Sequence, residues 1–300
     1  MHSATMEPQK GHWRQCLARE SERAVVAATD TTVSDGLRVE RDGKVAILTL
    51  CRPERRNALD AELCTAIAAA LEELADDGSD APGAPSTSDA SGEAEVPVRA
   101  VLIRGEGPAF CAGANLKGGA YAAGFFATVE KMIAAISSVP FPVIADVQGP
   151  AVGAGCQLVL SCDLRVMGPG AKAWVPAVNH GFALDRWTIS RAVELLGGSV
   201  ARNVLIAGEK VDQQAAVTSG FATRAGDSAE ALAFAHHIAG LAPMPMHHFK
   251  LVLNNPSHTE PSKALLAEMD MLGSACWVSE DAAEARAARA VKRPPEFLGR

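Results

Sequence analysis

Apolar and polar positions first fall into a strand pattern at Leu37–Arg41 and Lys44–Leu50. The two runs flank Asp42-Gly43, a dipeptide suited to a two-residue hairpin turn. Before them, residues 1–36 hold no sustained period and are rich in polar side chains, which predicts a mobile N-terminal extension. Leu63, Ile67, Leu71 and Leu74 then recur at helical spacing, so a helix capped by Asn57 and running to about Ala75 is expected. Residues 76–97 are acidic, small and rich in Pro, Gly and Ser, and predict a disordered surface loop. A strand pattern resumes at Val98–Arg104. A glycine-rich loop, a helix around Phe125–Ser138 and a strand at Pro142–Val147 follow.

A second glycine-rich turn, Gly149–Gly155, leads into an apolar helix at Cys156–Cys162. Short strands are expected at Leu164–Met167 and Ala173–Val175. Beyond Gly181 the pattern is helical to the end, punctuated by Gly197-Gly198, Gly208, Gly220 and Pro243. Strand pairs alternating with helices, then a helical last third, predict an α/β core with a helical C-terminal region. The expected division is 1–36 extension, 37–242 core and 243–300 helical region.

Composition narrows the function classes. Lys plus Arg number 28 against 35 Asp plus Glu, a net charge of −7 that argues against a dedicated nucleic-acid binder. A single tyrosine and 5% aromatics leave little material for a stacking platform. Seven dispersed cysteines, with no CxxC pair, read as free thiols in a reducing compartment rather than a disulfide framework or zinc site. The first thirty residues carry Glu7, Glu20 and Glu22 and no apolar core of a secretory signal. No apolar run is long enough to span a bilayer, so a cytoplasmic protein is expected.

Two loops could carry chemistry. Phe110–Asn115 (FCAGAN) lies between a strand and a helix, and its small residues let a ligand approach the backbone. Gly149–Gly155 (GPAVGAG) opens a helix whose first N–H groups are unpaired and can hold an anion or a developing oxyanion. Tight turns are the plainer reading of either loop alone. The GxxxGxG spacing does not fit a dinucleotide fingerprint. A Cys-His nucleophile built from Cys111 or Cys156 with His180 is outweighed by buried inert thiols. The pairs His236-His237 and His247-His248 point in different directions on a helix and make no chelate alone.

The segments RPERRNAL (52–59), AFCAGANLK (109–117), GPAVGAGCQLVLSCDLRV (149–166) and GFALDRW (181–187) together resemble the crotonase superfamily, the enoyl-CoA hydratase/isomerase family. The likeness covers about residues 37–300. GFALDRWTISR and KRPPEF further resemble a mycobacterial branch linked to mycolic-acid metabolism. The resemblance implies a crotonase-like spiral of ββα units and a homo-oligomer, a trimer or dimer of trimers built through the C-terminal region. It implies an acyl-CoA thioester as ligand and no metal, nicotinamide or flavin. Matched motif by motif, it places an oxyanion hole on the backbone N–H groups of Ala114 and Ala154. It assigns acyl-CoA contacts to Ala112, Gly113, Asn115, Leu116, Lys117, Phe182, Trp187 and Lys292.

The departures matter as much. Hydratases of this family use two glutamates; the matching positions here are Gln157 and Ala177. Gln157 can orient a water but cannot exchange its proton near neutrality, and Ala177 can do neither. Asp185, in a GLxxD-like segment, remains as a base for a proton shift or as the cap of the following helix; the sequence leaves both open. Three classes therefore compete: an acyl-CoA binder of lipid metabolism with little hydratase activity, an active hydratase or enoyl/dienoyl-CoA isomerase using Asp185 and Gln157, and an oligomeric module with a vestigial site.

Overall fold

The computed structural model describes residues 31–34, 36–77, 97–115, 124–254, 277–293 and 295, with single positions at 263, 267, 271, 274 and 275. The loop expected at 76–97 lies outside the described residues from 78 to 96, as do Leu116 and Lys117.

The hairpin forms as the alternation requires: β2 (Leu37–Asp42) and β3 (Val45–Leu50) pair antiparallel, Asp42 opposite Val45. Every residue of β3 is buried, because both faces of this strand are covered. β4 (Ala100–Gly105), β5 (Val143–Val147) and β7 (Leu164–Met167) extend the sheet in parallel. α1 (Ala61–Asp77) buries Leu63, Ile67, Leu71 and Leu74 against one face, together with α2 (Phe125–Ser138). The other face carries Ile47, Leu102 and Ile144 beneath α6 (Ser228–Ala239).

Several expectations need correction. Residues 31–34 are not part of a mobile extension: β1 (Thr31–Ser34) pairs antiparallel with β2, by a backbone ladder that a polar segment supplies as well as an apolar one. Residues 1–30 lie outside the described ones. Asn57 does not cap α1. It sits at φ 56°, its side chain accepts from Arg52 N and its amide donates to Glu106 O, Ala109 O and Phe110 O. The cap is Asp60, whose Oδ1 accepts from Leu63 N at 3.0 Å.

The region beyond Gly181 is not wholly helical. β9 (Val211–Asp212) and β10 (Arg224–Ala225) are too short to show a period of two. β10 closes the edge of the seven-stranded sheet beside β7. β6 (Pro150–Val152), inside the second glycine-rich turn, forms a three-stranded sheet with β8 (Lys172–Trp174) and β9. α3 (Ala154–Ser161), α4 (Arg186–Leu205), α5 (Gln213–Ser219), α7 (Pro243–Asn254) and α8 (Glu280–Ala290) are further helices among the described residues. Gly197, at φ 74° and ψ 153°, breaks α4 into two segments. No helix among the described residues is long and apolar enough to cross a membrane.

One buried acid stands out beneath α6. Asp146 on β5 is 1% exposed; its Oδ1 accepts from Gln148 Nε2 at 2.6 Å, and its Oδ2 has no partner. Burial pushes this carboxyl above its usual range, opposed by Gln148, Ser228 and Arg104. The folded chain therefore holds this proton to a higher pH than the unfolded chain. Between the two pKa values the native state binds more protons, so stability falls as pH rises through that window. Asp146→Asn is expected to remove that fall and to raise stability at neutral pH by roughly 1 kcal/mol. Urea unfolding of both proteins from acid pH to neutrality checks this; parallel pH profiles would refute it.

Candidate active site

The two glycine-rich loops meet side by side. Cys111 N donates to Pro150 O at 3.1 Å and Val152 N to Cys111 O at 2.9 Å, so the first loop lies parallel to β6. On its other side, Leu59 N donates to Gly113 O at 2.8 Å and Asn115 N to Leu59 O at 2.7 Å. In this parallel bridge Leu59 bonds to the residues flanking Ala114, which turns Ala114's own N–H away from Leu59. Two glycines make the approach feasible. A Cβ on Gly113, at φ 91°, would lie 2.5 Å from Val152 O and 3.5 Å from Ala154 N. One on Gly155 would run into Cys111 O and lie 2.8 Å from Cys111 Sγ.

Ala154 is the first residue of α3, after Gly153 at φ 55° and ψ −118°, so its N–H has no partner within the helix. Among the described residues neither Ala114 N nor Ala154 N meets an acceptor. Two free amide donors on adjoining backbone, one at a helix start, suit a carbonyl oxygen that gains negative charge. Ala112 N, by contrast, is spent on Arg56 O at 2.9 Å.

One turn into α3, Gln157 reaches the start of α4. Asp185 caps that helix: its Oδ1 accepts from Thr188 N at 2.8 Å and its Oδ2 from Thr188 Oγ1 at 2.6 Å. Gln157 Nε2 donates to Asp185 Oδ2 at 3.1 Å and to Thr188 Oγ1 at 2.6 Å. The two residues singled out from the sequence thus touch directly, and both also bond a third, Thr188, that it did not single out. The spacing of Asp185 and Thr188, cap to third helical position, was the signal available. Ala177 is buried, its carbonyl accepting from His180 N at 3.0 Å and Phe182 N at 3.2 Å.

An aromatic wall stands beside this turn. Phe182 stacks on Trp277 with centroids 5.0 Å apart, and Trp277 lies 5.0 Å from Phe126. Trp277 was not foreseen, because nothing local in the sequence ties it to residues 181–187. α8 packs over Val178–His180, where Gly181, at φ 65°, leaves room for the Asp281 carbonyl. Trp187 is partly buried against the main core, and Lys292 is exposed at φ 56° just beyond α8. Burial, helped by the Arg289 charge, pushes His180 below its usual range. Burial pushes the Cys111 and Cys156 thiols up to about 12, so neither supplies a thiolate near neutrality. No group of three or more His, Cys, Asp or Glu suited to a metal occurs among the described residues.

Comparison with known proteins agrees with this frame. The profile of the enoyl-CoA hydratase/isomerase family matches residues 90–300. The chain is 38% identical over 255 residues to the probable enoyl-CoA hydratase echA6 of Mycobacterium leprae, covering 85% of this chain and 96% of that protein. It is 40% identical over 256 residues to the Mycobacterium bovis protein of the same name, with the same coverage. A crystal structure of an enoyl-CoA hydratase/isomerase from Pseudoalteromonas atlantica superposes with a TM-score of 0.70 at 27% identity, covering 88% of this chain and all of that one. The glycine-rich loops that build the site lie inside this matched span, and the fold around them is shared: the chain belongs to the enoyl-CoA hydratase/isomerase family of the crotonase superfamily.

Proposed function

We propose that the chain binds an acyl-CoA thioester of fatty-acid or lipid metabolism and has little or no hydratase activity. The observation that supports this is the pair of unengaged N–H groups at Ala114 and Ala154, taken with an amide at Gln157 and a buried methyl at Ala177. The thioester oxygen takes the two amides, with Gly113 and Asn115 along the ligand and Phe182 beside the acyl chain. Water addition needs a proton acceptor and a donor at the double bond. Gln157 and Ala177, which stand where the resemblance puts the hydratases' glutamates, provide neither. Proton shifting by Asp185 would require it to act while both its oxygens already accept from Thr188 and one from Gln157.

The same reading carries assembly of the chain into a trimer or dimer of trimers. Phe249, Leu251, Val252 and Leu253, each more than half exposed on α7, support it as apolar surface for another copy.

The direct test is incubation with a chain-length panel of trans-2-enoyl-CoAs, following loss of the conjugated double bond, with a binding titration on the same samples. Saturable binding without turnover is expected; turnover far above the protein-free control would overturn the proposal. A second expectation concerns Ala154→Pro. Proline is tolerated at the first helical position; it removes the N–H and sets its ring Cδ in that hydrogen's place. Acyl-CoA affinity should fall about tenfold, the value of one hydrogen bond to the ligand, with an unchanged melting curve. Unaltered affinity would remove Ala154 from the site.

A further inference from the structure

The second half of α4, the loop that follows it, β9 and α5 frame an open groove of about 530 Å³, a size that suits a small organic ligand. None of its lining residues has a part in the acyl-CoA site. The floor is apolar: Val204 and Val211 are buried, and Val200 and Ala215 are partly buried against the main core. The rim is polar, with Asn203, Glu209 and Lys210. Backbone contacts hold that rim in shape. Glu209 N donates to Asn203 O at 3.0 Å, and Gly208, at φ 70°, lies so close to the turn at 178–180 that a Cβ there would sit 2.8 Å from Asn179 Oδ1. The two charges on the rim are not equivalent. Lys210 Nζ lies 4.7 Å from the centre of the Trp174 ring, which fixes the ammonium while leaving its protons able to meet an anion. Neither Lys210 nor Glu209 forms an ion pair among the described residues. Glu209 is exposed, and no side chain among them holds its carboxylate, so it is able to turn out into water.

We infer that this groove is a second ligand site, for an unbranched medium-chain carboxylate of the fatty-acid type. The carboxylate meets the Lys210 ammonium and the Asn203 side-chain amide, and the alkyl chain lies on Val200, Val204, Val211 and Ala215. A placed cation at one edge of an apolar floor selects a molecule with one anionic end and an apolar body. An alkylammonium would have only the unheld Glu209 to meet, next to the like charge of Lys210. The site does not depend on the acyl-CoA reading, since it shares no residue with it.

The test is calorimetric titration of the full chain with butanoate, hexanoate, octanoate and octylammonium. Octanoate should bind saturably, with affinity rising about twofold per methylene, as expected where an open groove shields only part of each one from water. Octylammonium should bind more weakly than octanoate. Lys210→Gln, at an exposed position, should weaken octanoate about three- to fivefold, the range of an exposed ion pair, and Lys210→Arg should retain binding. Glu209→Gln should tighten it about twofold. Val200→Asp sets a carboxylate on the floor and should abolish binding; melting curves confirm that each variant folds, and Lys210→Gln decides the matter if Val200→Asp does not. No saturable binding of octanoate by the folded chain would overturn the inference, as would octylammonium binding as tightly. Octanoate affinity unchanged in folded Lys210→Gln or in folded Val200→Asp would also overturn it, by placing the carboxylate elsewhere on the chain. So would absent binding together with a smaller assembly for Val200→Asp by light scattering, which would make the groove a contact between copies.

Discussion

Hydration of trans-2-enoyl-CoA should rise by at least about 100-fold when Gln157→Glu and Ala177→Glu are combined, since one positioned acid or base contributes about 10²–10⁴-fold. The surroundings of the two positions set the limits. A carboxylate at 157 would replace an amide that donates to Asp185 Oδ2 at 3.1 Å and to Thr188 Oγ1 at 2.6 Å. Two carboxylates at that spacing cannot both stay ionised, and Thr188 has one proton to offer them. The new glutamate would therefore compete with Asp185 for a proton and work as a base over a narrowed pH range. Adding Asp185→Asn should lift activity further. Asparagine still caps α4 (Arg186–Leu205) and gives position 157 a donor in place of a charge. Position 177 is tighter. Its Cβ is buried and its backbone is fixed by the hydrogen bonds from His180 N and Phe182 N, so a glutamate must reach from a fixed base. The check is the rate of loss of the conjugated double bond, with circular dichroism and acyl-CoA binding on the same preparations. A triple variant that folds and binds yet hydrates no faster than the parent would show that positions 157 and 177 do not flank the reacting carbons.

What the sequence made legible was whatever depends on local spacing. The apolar stripe of α1 (Ala61–Asp77) and the hairpin at Asp42-Gly43 formed as read, because their periods are set by helix and strand geometry alone. The two glycine-rich loops were legible as places of close backbone approach, and Gly113 and Gly155 are both needed for it. Features made by long-range pairing were not. β1, β9 and β10 hold two to four residues each, and their identity comes from the neighbouring strand. The capping role of Asn57 failed for a related reason. Its side chain is spent on carbonyls about fifty residues away, and Asp60 does the local work. The site followed the same division. Gln157 and Asp185 could be named from motifs, but their contact with each other and with Thr188 depends on α3 and α4 packing together. Trp277 reaches Phe182 from nearly a hundred residues further along the chain.

Removing the Lys250 ammonium is expected to cost about 3–5 kcal/mol, the range for a buried charge that loses its partner. Lys250 on α7 (Pro243–Asn254) is 6% exposed, and its Nζ donates to Ile136 O at 2.8 Å and Phe141 O at 2.9 Å. It also lies 2.8 Å from Asp163 Oδ2, an oxygen that accepts from Val143 N at 2.7 Å. One side chain thus joins α7 to the end of α2 (Phe125–Ser138), to the entry of β5 (Val143–Val147) and to the turn after α3 (Ala154–Ser161). Burial lowers the Lys250 pKa, and the Asp163 charge works against that. Lys250→Met leaves two carbonyls without their donor and Asp163 without its countercharge. Combining it with Asp163→Asn should recover part of the loss, because losing both charges costs less than stranding one. Along the rest of α7, Phe249, Leu251, Val252 and Leu253 are more than half exposed, while Asn254 Nδ2 donates to Ser137 O at 3.0 Å and Met246 packs against the core cluster of Val45, Ile47 and Phe234. The loss should therefore show first as rapid amide exchange over residues 243–254, and only then in the global urea midpoint. A Lys250→Met protein with full exchange protection in α7 and an unchanged midpoint would mean that apolar packing, supplied by another copy of the chain, anchors the helix instead.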